Sequence, residues 1–186
     1  MGRLLVFNQI SLDGFFVDGN GDMNWAHQDD AEWNAFVADN ASGGALLILG
    51  RVTYELMAGF WPTPAAMESM PVLAERMNNL PKVVFSKTLN NASWANTRVV
   101  RTDLAAEVRK IKGESEKHAT ILGSGSIVSQ LAQERLIDEY QIVVNPIALG
   151  SGRTLFDGVS RPLRLTLSGT RRFSNGNVLL CYQLGA

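Results

Sequence analysis

The sequence predicts an α/β fold of three layers, in which a mostly parallel central sheet ends in a C-terminal antiparallel hairpin. Short apolar runs alternate with segments of helical periodicity, which is typical of parallel strands joined by crossover helices. The stretches 163–168 and 178–184 instead alternate apolar and polar residues, and Asn175-Gly176 between them favours a hairpin turn. The 186 residues, 46% of them hydrophobic, suit one domain that spans 1–186.

Five apolar runs are bounded by Gly, Pro, Asn or Ser and are predicted to be buried strands: 4–7, 45–49, 82–85, 119–122 and 142–144. Four helices are predicted between them, at 30–41, 67–78, 103–112 and 126–135. The third helix is expected to end before Gly113. The second is expected to end ahead of Pro81, because the residue before a proline avoids the helical conformation.

Composition and charge exclude several classes of function. The net charge is −1 and no basic block occurs, so the sequence predicts no nucleic-acid partner. The longest apolar run, 45–49, is too short for a membrane span, and the N-terminus is interpreted as a first strand rather than a signal peptide. Cys181 is the one cysteine, which predicts a buried strand thiol and a reducing, cytoplasmic location. No metal site is predicted.

A glycine turn joins a predicted strand to a predicted helix in ILGSGSIVSQLA, residues 121–132. Backbone N–H groups at a helix start are unsatisfied, and the helix dipole favours an anion there. The turn does not match the dinucleotide fingerprint, since Val128 stands where the third glycine belongs, and no Lys-Ser/Thr pair follows as in a P-loop. The sequence therefore indicates an anion-binding turn or, as the alternative, a tight turn with a structural role only.

Two further strand ends carry groups suited to phosphate. In LILGRVTYE, Gly50 allows close approach, Arg51 offers a planar fork of donors, and Thr53 adds a hydroxyl at a helix start. In VVFSKTL, Ser86 and Lys87 follow a strand directly. The alternatives are an exposed charge, a cap and a polar loop. Ligands collect where the carboxyl ends of parallel strands meet, so three such ends favour a dinucleotide, and the two cations favour NADP over NAD.

Five motifs in order resemble the dihydrofolate reductase-like superfamily, most of all the reductase domain of riboflavin biosynthesis (the RibD C-terminal type). These motifs are SLDGFF, LGRVTYE, VVFS, ILGSGSI and NPIALGSGRTLF. The resemblance implies NADPH as the cofactor. It places the G-R-x-T segment at the NADPH phosphates, Ser86 and Lys87 near the 2′-phosphate, and the glycine turn at the pyrophosphate. The residues so implied are Gly50, Arg51, Thr53, Ser86, Lys87, Gly123, Ser124, Gly125, Ser126 and Ile127.

The substrate side is less defined. In the resembling family a Trp precedes by five residues a carboxylate that hydrogen-bonds the pterin ring, and Trp25 and Asp30 have this spacing. A one-residue shift would give the role to Asp29, and both acids could simply favour a helix start. Asp13 is either a polar anchor beside the nicotinamide or a cap of the turn at Gly14. His27 is interpreted as a surface residue.

The resemblance implies an NADPH-dependent reductase that transfers hydride to a pterin or to a ribosylated aminopyrimidine. The motifs at both ends of the chain favour the riboflavin branch, where Arg153 is the candidate for a substrate phosphate. The zinc deaminase pattern H-x-E…C-x-x-C is absent from the sequence, so no deaminase activity is expected. Family relatives imply a homodimer. The alternatives are an NADP(H)-binding protein without turnover and a nucleotide transferase, the latter disfavoured because no pair of Mg²⁺-binding carboxylates follows a strand.

Overall fold

The computed structural model describes residues 1–26, 30–43, 45–114 and 116–185. Ten strands and six α-helices alternate along these ranges. The strands are β1 (Leu4–Ser11), β2 (Phe15–Val17), β3 (Leu46–Gly50), β4 (Lys82–Phe85), β5 (Thr97–Val100), β6 (Ala119–Leu122), β7 (Glu139–Asn145), β8 (Arg153–Thr154), β9 (Leu165–Arg172) and β10 (Val178–Leu184). The helices are α1 (Ala31–Gly43), α2 (Arg51–Ala58), α3 (Pro64–Ser69), α4 (Pro71–Asn79), α5 (Leu104–Glu114) and α6 (Gly125–Gln133).

Eight of the strands form one sheet in the order β5-β4-β3-β6-β1-β7-β10-β9. The first six lie parallel to one another, and β10 runs antiparallel to both β7 and β9. The first strand lies in the middle of the sheet, since Leu4 pairs with Ala119 on β6 and Leu5 pairs with Glu139 on β7. The predicted fold class, a mostly parallel sheet with a C-terminal antiparallel hairpin, is therefore confirmed.

Helices cover both faces of the sheet, because successive strand residues point to opposite sides. On β3, Ile48 packs in a cluster with Val108 of α5 and Leu131 of α6. Its neighbours Leu47 and Leu49 belong instead to a cluster with residues of α2 and α4. Helix α1 covers the same face further along the sheet, where Trp33 packs against β7, β10 and the β9–β10 turn. This gives the predicted three layers.

Several elements differ from the sequence-based expectation. The segment predicted as one helix over 67–78 is two helices, because Met70 adopts φ −139° and ψ 61° ahead of Pro71. Helix α5 passes through Gly113 to Glu114, so that glycine does not end the helix as predicted. Strand β5 was not predicted because it carries the exposed Arg98, and the β2–β8 pair was not predicted because its strands have only three and two residues.

Within the described ranges, no helix is long and apolar enough to cross a membrane. The same residues contain no cluster of three or more His, Cys, Asp or Glu side chains with metal-binding geometry. Cys181 lies on β10 as a free, half-buried thiol, and burial raises its pKa. A thiol with a raised pKa is a poor nucleophile, which agrees with the interpretation of Cys181 as a strand residue.

Candidate functional site

The glycine turn after β6 has a backbone that requires small or left-handed residues. Gly123 has φ +54°, and Ser124 follows in the left-handed region with φ 55° and ψ 52°. The Asn8 side-chain amide on β1 donates to the Gly123 carbonyl over 2.9 Å. Gly125 begins α6, and a Cβ placed there would lie 2.6 Å from a ring carbon of Phe16. The sequence G-S-G is thus fixed by backbone geometry and by the Phe16 ring.

Ser124 joins this turn to the start of α2. The Gly50 N–H donates to Ser124 Oγ over 2.8 Å, and the Ser124 N–H donates to Thr53 Oγ1 over 3.1 Å. The two hydroxyl oxygens lie 3.0 Å apart and share a further hydrogen bond. Two of the predicted cofactor segments, 71 or more residues apart in sequence, therefore meet as one polar joint. The N-termini of α2 and α6 lie beside each other at the carboxyl edge of the sheet.

The side chains of the remaining predicted cofactor residues differ in their contacts and in their exposure. Arg51 forms an ion pair of 2.8 Å with Glu55, and both side chains are about half exposed. Ser86 Oγ accepts N–H bonds from Thr88 and Leu89, over 3.2 and 2.9 Å. The Lys87 side chain is exposed at the end of β4, the strand next to β3.

The last two residues of the predicted turn lie on α6 itself. Ser126 is exposed. Ile127 is 4% exposed, its side chain packs in the core, and its N–H donates to the Ser124 carbonyl. Ile127 therefore belongs to the core, and Ser126 is the exposed residue of this segment.

Asp13 ties the loop after β1 to the loop after β7. Its carboxylate accepts bonds from the Ser11 hydroxyl over 2.6 Å, from the Leu149 N–H over 3.0 Å and from the Gly150 N–H over 2.7 Å. These bonds lower the pKa of Asp13 to about 2, with the Ser11 hydroxyl the largest cause. The SLDG segment and the LGSG segment are thus held together by this carboxylate, which stays ionised at neutral pH.

Asp30 caps α1 and binds the hairpin. Its Oδ1 accepts the Trp33 N–H over 2.8 Å, and its Oδ2 accepts the Ser174 hydroxyl over 2.9 Å. Trp25 lies in a short 3-10 turn, partly exposed, and its indole N–H donates to the Asp22 carbonyl over 3.1 Å. Asp29 and His27 lie outside the described residues.

A polar clamp between α1 and the β9–β10 hairpin was not predicted from the sequence. Glu32 forms an ion pair of 3.0 Å with Arg171 and accepts the Ser174 N–H over 3.1 Å. The Arg171 guanidinium, which lowers the pKa of Glu32, also lies 4.7 Å from the centre of the Phe173 ring. These partners are about 140 residues apart. Their one local signal was the Asn-Gly turn, which places residue 174 at the tip.

Arg153 lies on the ring of Phe16, the same ring that packs against Gly125. Its guanidinium stands 5.6 Å from the centre of the Phe16 ring, beside an open cavity of about 330 Å³. The cavity is lined by Asp18, Gly19, Asn20, Gly21, Gly152 and Arg153. Gly152 is required where β8 meets β2, because a Cβ there would lie 2.0 Å from the Val17 carbonyl oxygen.

The family described as the RibD C-terminal domain matches residues 3–179. The uncharacterized protein YyaP of Bacillus subtilis (strain 168) is 26% identical over 182 residues, which cover 97% of this chain and 94% of that protein.

Two examples illustrate the solved structures that share the fold. One is a diaminohydroxyphosphoribosylaminopyrimidine deaminase/5-amino-6-(5-phosphoribosylamino)uracil reductase of Thermotoga maritima, with a TM-score of 0.69 and 15% identity over 99% of this chain and 57% of that one. The other is dihydrofolate reductase of Enterococcus faecalis complexed with NADP(H), with a TM-score of 0.67 and 16% identity over 100% of this chain and 98% of that one. The predicted dihydrofolate reductase-like fold is confirmed.

Proposed function

The chain belongs to the RibD C-terminal domain family, and from that premise we propose that it is an NADPH-dependent oxidoreductase. The observation that carries the proposal is the joint of Gly50, Thr53 and Ser124, which brings the starts of α2 and α6 together. Two helix N-termini at the carboxyl edge of a parallel sheet supply converging N–H groups and two positive dipole ends. This donor set fits an anionic diphosphate.

Different residues at and near the joint would bind different phosphates of the cofactor. The turn of Gly123, Ser124, Gly125 and Ser126 would hold the pyrophosphate, with Gly50 and Thr53 beside it and Ile127 lining the turn. Ser86, Lys87 and Arg51 would hold the 2′-phosphate, and Arg51 is exposed enough to exchange Glu55 for a phosphate. The 2′-phosphate contacts would make the site prefer NADPH to NADH.

The substrate in this proposal is a pterin or a ribosylated aminopyrimidine. The Thermotoga maritima protein supports the second, since it is a 5-amino-6-(5-phosphoribosylamino)uracil reductase. NADPH, when bound, supplies the hydride. The chain would orient the acceptor ring with Asp30 or Asp29, with Trp25 beside it and Asp13 near the nicotinamide. Each Asp30 oxygen carries a second lone pair beyond the bonds to Trp33 and Ser174, so it can still accept an N–H.

A homodimer in the cytoplasm completes the proposal. Strand β9 supports association. It is an edge strand that pairs with β10 on one side, so its other side presents a row of unpaired backbone groups. Sedimentation equilibrium should give twice the mass of one chain. A monomer at micromolar concentration would contradict this part and leave the cofactor site untouched.

The test is a titration of the purified protein with NADPH and, separately, NADH, followed by energy transfer from tryptophan. We expect micromolar NADPH binding at least tenfold tighter than NADH binding. A panel of dihydropterins and phosphoribosylaminopyrimidines then tests for NADPH oxidation. Failure to bind either nucleotide would overturn the proposal, whereas binding without oxidation of any panel member would favour an NADP(H)-binding protein without turnover.

A further inference from the structure

The open cavity of about 330 Å³ lies between the loop that follows β2 and the start of β8. Its lining comes from two short segments, which are Asp18, Gly19, Asn20 and Gly21 on one side and Gly152 and Arg153 on the other. The two segments touch at their edges, since a Cβ at Gly152 would lie 2.0 Å from the Val17 carbonyl oxygen and one at Gly19 would lie 3.1 Å from Ser151 Oγ. Close packing of the backbone therefore fixes the two walls of the cavity relative to each other.

Arg153 is the cation of this cavity. Its side chain is exposed, and its guanidinium lies over the Phe16 ring, 5.6 Å from the ring centre. Within the described ranges, no carboxylate lies within ion-pair distance of Arg153. A guanidinium held over an aromatic ring keeps the N–H donors at its edge available, and these form a planar fork that matches a phosphate. Arg153 is therefore suited to bind an anion in the cavity.

The other polar side chains of the cavity suit a ligand that also carries hydroxyl groups. Asp18 Oδ1 accepts the N–H groups of Asn20 and Asp22, over 2.8 and 2.9 Å, so the loop partly balances its charge. The Asp18 carboxylate keeps further lone pairs that can accept a hydroxyl. The Asn20 side chain is exposed and adds an amide that can donate to an anion. Donors and an acceptor in one cavity favour an anionic group with hydroxyls beside it.

The cavity adjoins the glycine turn but lies on the other side of it from the proposed cofactor phosphates. A Cβ at Gly125 would lie 2.6 Å from the Phe16 ring, and Arg153 lies over the same ring. In the sheet, the strands β4, β3 and β6, whose ends carry the proposed phosphate contacts, are on one side of β1, and β7 is on the other. The cavity is formed by segments that come after β1 and after β7. An anion at Arg153 is therefore a different group from the 2′-phosphate and the pyrophosphate.

We propose that this cavity is a binding site of its own for the phosphate monoester of a small polyhydroxy compound such as a sugar. Arg153 binds the phosphate, Asn20 donates a further hydrogen bond, and Asp18 accepts a hydroxyl of the sugar. The volume of about 330 Å³ is near the low end of the roughly 300–1,000 Å³ of ligand pockets, which leaves room for a sugar phosphate but not for a dinucleotide. The separation from the cofactor phosphates rests on the proposed function, whereas the site itself does not.

The test is a calorimetric titration of the protein with ribose 5-phosphate, in which ribose and inorganic phosphate are the ligand controls. We expect wild type to bind ribose 5-phosphate at least tenfold tighter than either control. Arg153→Gln should lose at least tenfold in this affinity, and Arg153→Lys should lose less, since lysine keeps the charge without the fork of donors.

Arg161→Gln is the matched control and should leave the affinity for ribose 5-phosphate unchanged. Arg161 is exposed and follows Ser160, which binds Gln133 at the last residue of α6. The cavity instead adjoins Gly125, the first residue of that helix, through the Phe16 ring. The control therefore removes an exposed arginine at the opposite end of the same helix.

Asn20→Asp provides a second variant, because it adds a negative charge to the cavity wall at an exposed position. We expect it to fold and to weaken ribose 5-phosphate binding at least threefold. Unchanged affinity in a folded Arg153→Gln variant, or no binding of ribose 5-phosphate by wild type at millimolar concentration, would overturn the inference. So would displacement of ribose 5-phosphate by NADPH, because the cavity would then belong to the cofactor site.

The phosphate has two conceivable sources, the substrate of the proposed reduction and a separate metabolite. NADPH oxidation with a phosphoribosylaminopyrimidine, before and after removal of its phosphate, distinguishes them. If the cavity holds the substrate phosphate, Arg153→Gln raises KM at least tenfold for the phosphorylated compound only. If it holds a separate metabolite, both KM values stay unchanged while ribose 5-phosphate binding is lost. A protein that neither binds nor oxidises NADPH would count against the proposed function alone, since the ribose 5-phosphate titration decides on this site by itself.

Discussion

The two sides of the candidate site are built in opposite ways. On the cofactor side, Gly50, Thr53 and Ser124 satisfy one another through three hydrogen bonds, and each lies in a short motif at a strand end. Near the hairpin that binds Asp30, Asn145 and Asn177 are brought together from separate strands and keep unpaired amide atoms. The joint is closed by side chains from two local motifs, whereas the position of the two asparagines depends on the pairing of distant strands.

Among these substitutions, Gly125→Ala should cause the largest loss of stability and of NADPH binding. The added Cβ would lie 2.6 Å from the Phe16 ring and force the start of α6 away from the joint. We expect a loss of about 1–3 kcal/mol in the free energy of unfolding, as is typical of overpacking, together with weaker NADPH binding. Denaturant unfolding and the nucleotide titration measure both.

Gly113→Ala is the control for this change. Gly113 lies inside α5 with an exposed surface, and no described atom comes within 4 Å of the place that the added methyl group would occupy. We expect it to stabilise the helix by about 0.5–1 kcal/mol, since alanine is the better helix former. Equal stability of the two variants would show that the Phe16 contact does not constrain the turn.

Thr53→Val tests the joint without adding bulk. The Ser124 N–H loses its acceptor and the Ser124 hydroxyl loses a partner, so we expect a loss of about 1–2 kcal/mol in the free energy of unfolding. Thr53→Ser keeps the hydroxyl and should retain most of the stability.

Arg51→Ala should weaken NADPH at least tenfold, about 1.4 kcal/mol, while the stability changes by less than about 0.5 kcal/mol. The reason is that the exposed Arg51–Glu55 pair contributes little to folding, whereas a phosphate would gain a fork of donors. Glu55→Gln frees Arg51 and should leave NADPH affinity equal or higher. An unchanged NADPH to NADH preference in Arg51→Ala would contradict the assignment of Arg51 to the 2′-phosphate.

Ser174→Ala should affect the substrate side alone. It removes the hydroxyl that binds Asp30, while the Ser174 N–H can still donate to Glu32. We expect a loss of about 0.5–1.5 kcal/mol in stability and a rise in KM without a change in NADPH affinity. Ser168→Ala, on the same hairpin, removes a bond to the Cys181 carbonyl and should leave KM unchanged.

The smallest effect is the pH dependence that Asp13 contributes. Its folded pKa of about 2 lies below the ordinary value of 3.8, so its stabilising contribution is complete above about pH 4 and is lost as the pH falls towards 2. Asp13→Asn should therefore show a shallower fall in stability between pH 4 and pH 2 than wild type. If the melting temperatures of Asp13→Asn and wild type fell equally steeply between pH 4 and pH 2, Asp13 would not be holding the two loops together.

Sequence reasoning was most successful where a signal is local. The ends of β3 and β6 and the Asn-Gly hairpin can each be recognised from a dozen residues of local sequence, and the order of the motifs identified the fold. Strand β5 was missed because its four residues TRVV include the exposed Arg98 and show no alternating pattern.

The substrate side could not be predicted for a different reason. Asn145 and Asn177 stand beside Pro146 and Gly176, where asparagine is an ordinary turn residue, so nothing local marks them as buried. Their burial follows from the pairing of β7 with β10 and from the packing of α1 on that face. The bond from Ser174 to Asp30 spans 144 residues and likewise depends on that packing.

The central place of β1 also sets an order of events during synthesis. It is made before both of its neighbours in the sheet, and Ala119, which pairs with Leu4, is made 115 residues later. At a synthesis rate of about 5–20 residues per second, the apolar strand stays unpaired for roughly 6 to 23 seconds. The β9–β10 hairpin that binds Asp30 is made after β3 and β6, so the nascent chain can form its cofactor joint before the bond from Ser174 to Asp30. A chain cut short before residue 174 would carry the first without the second, and an exposed strand edge is the kind of surface on which chaperones act.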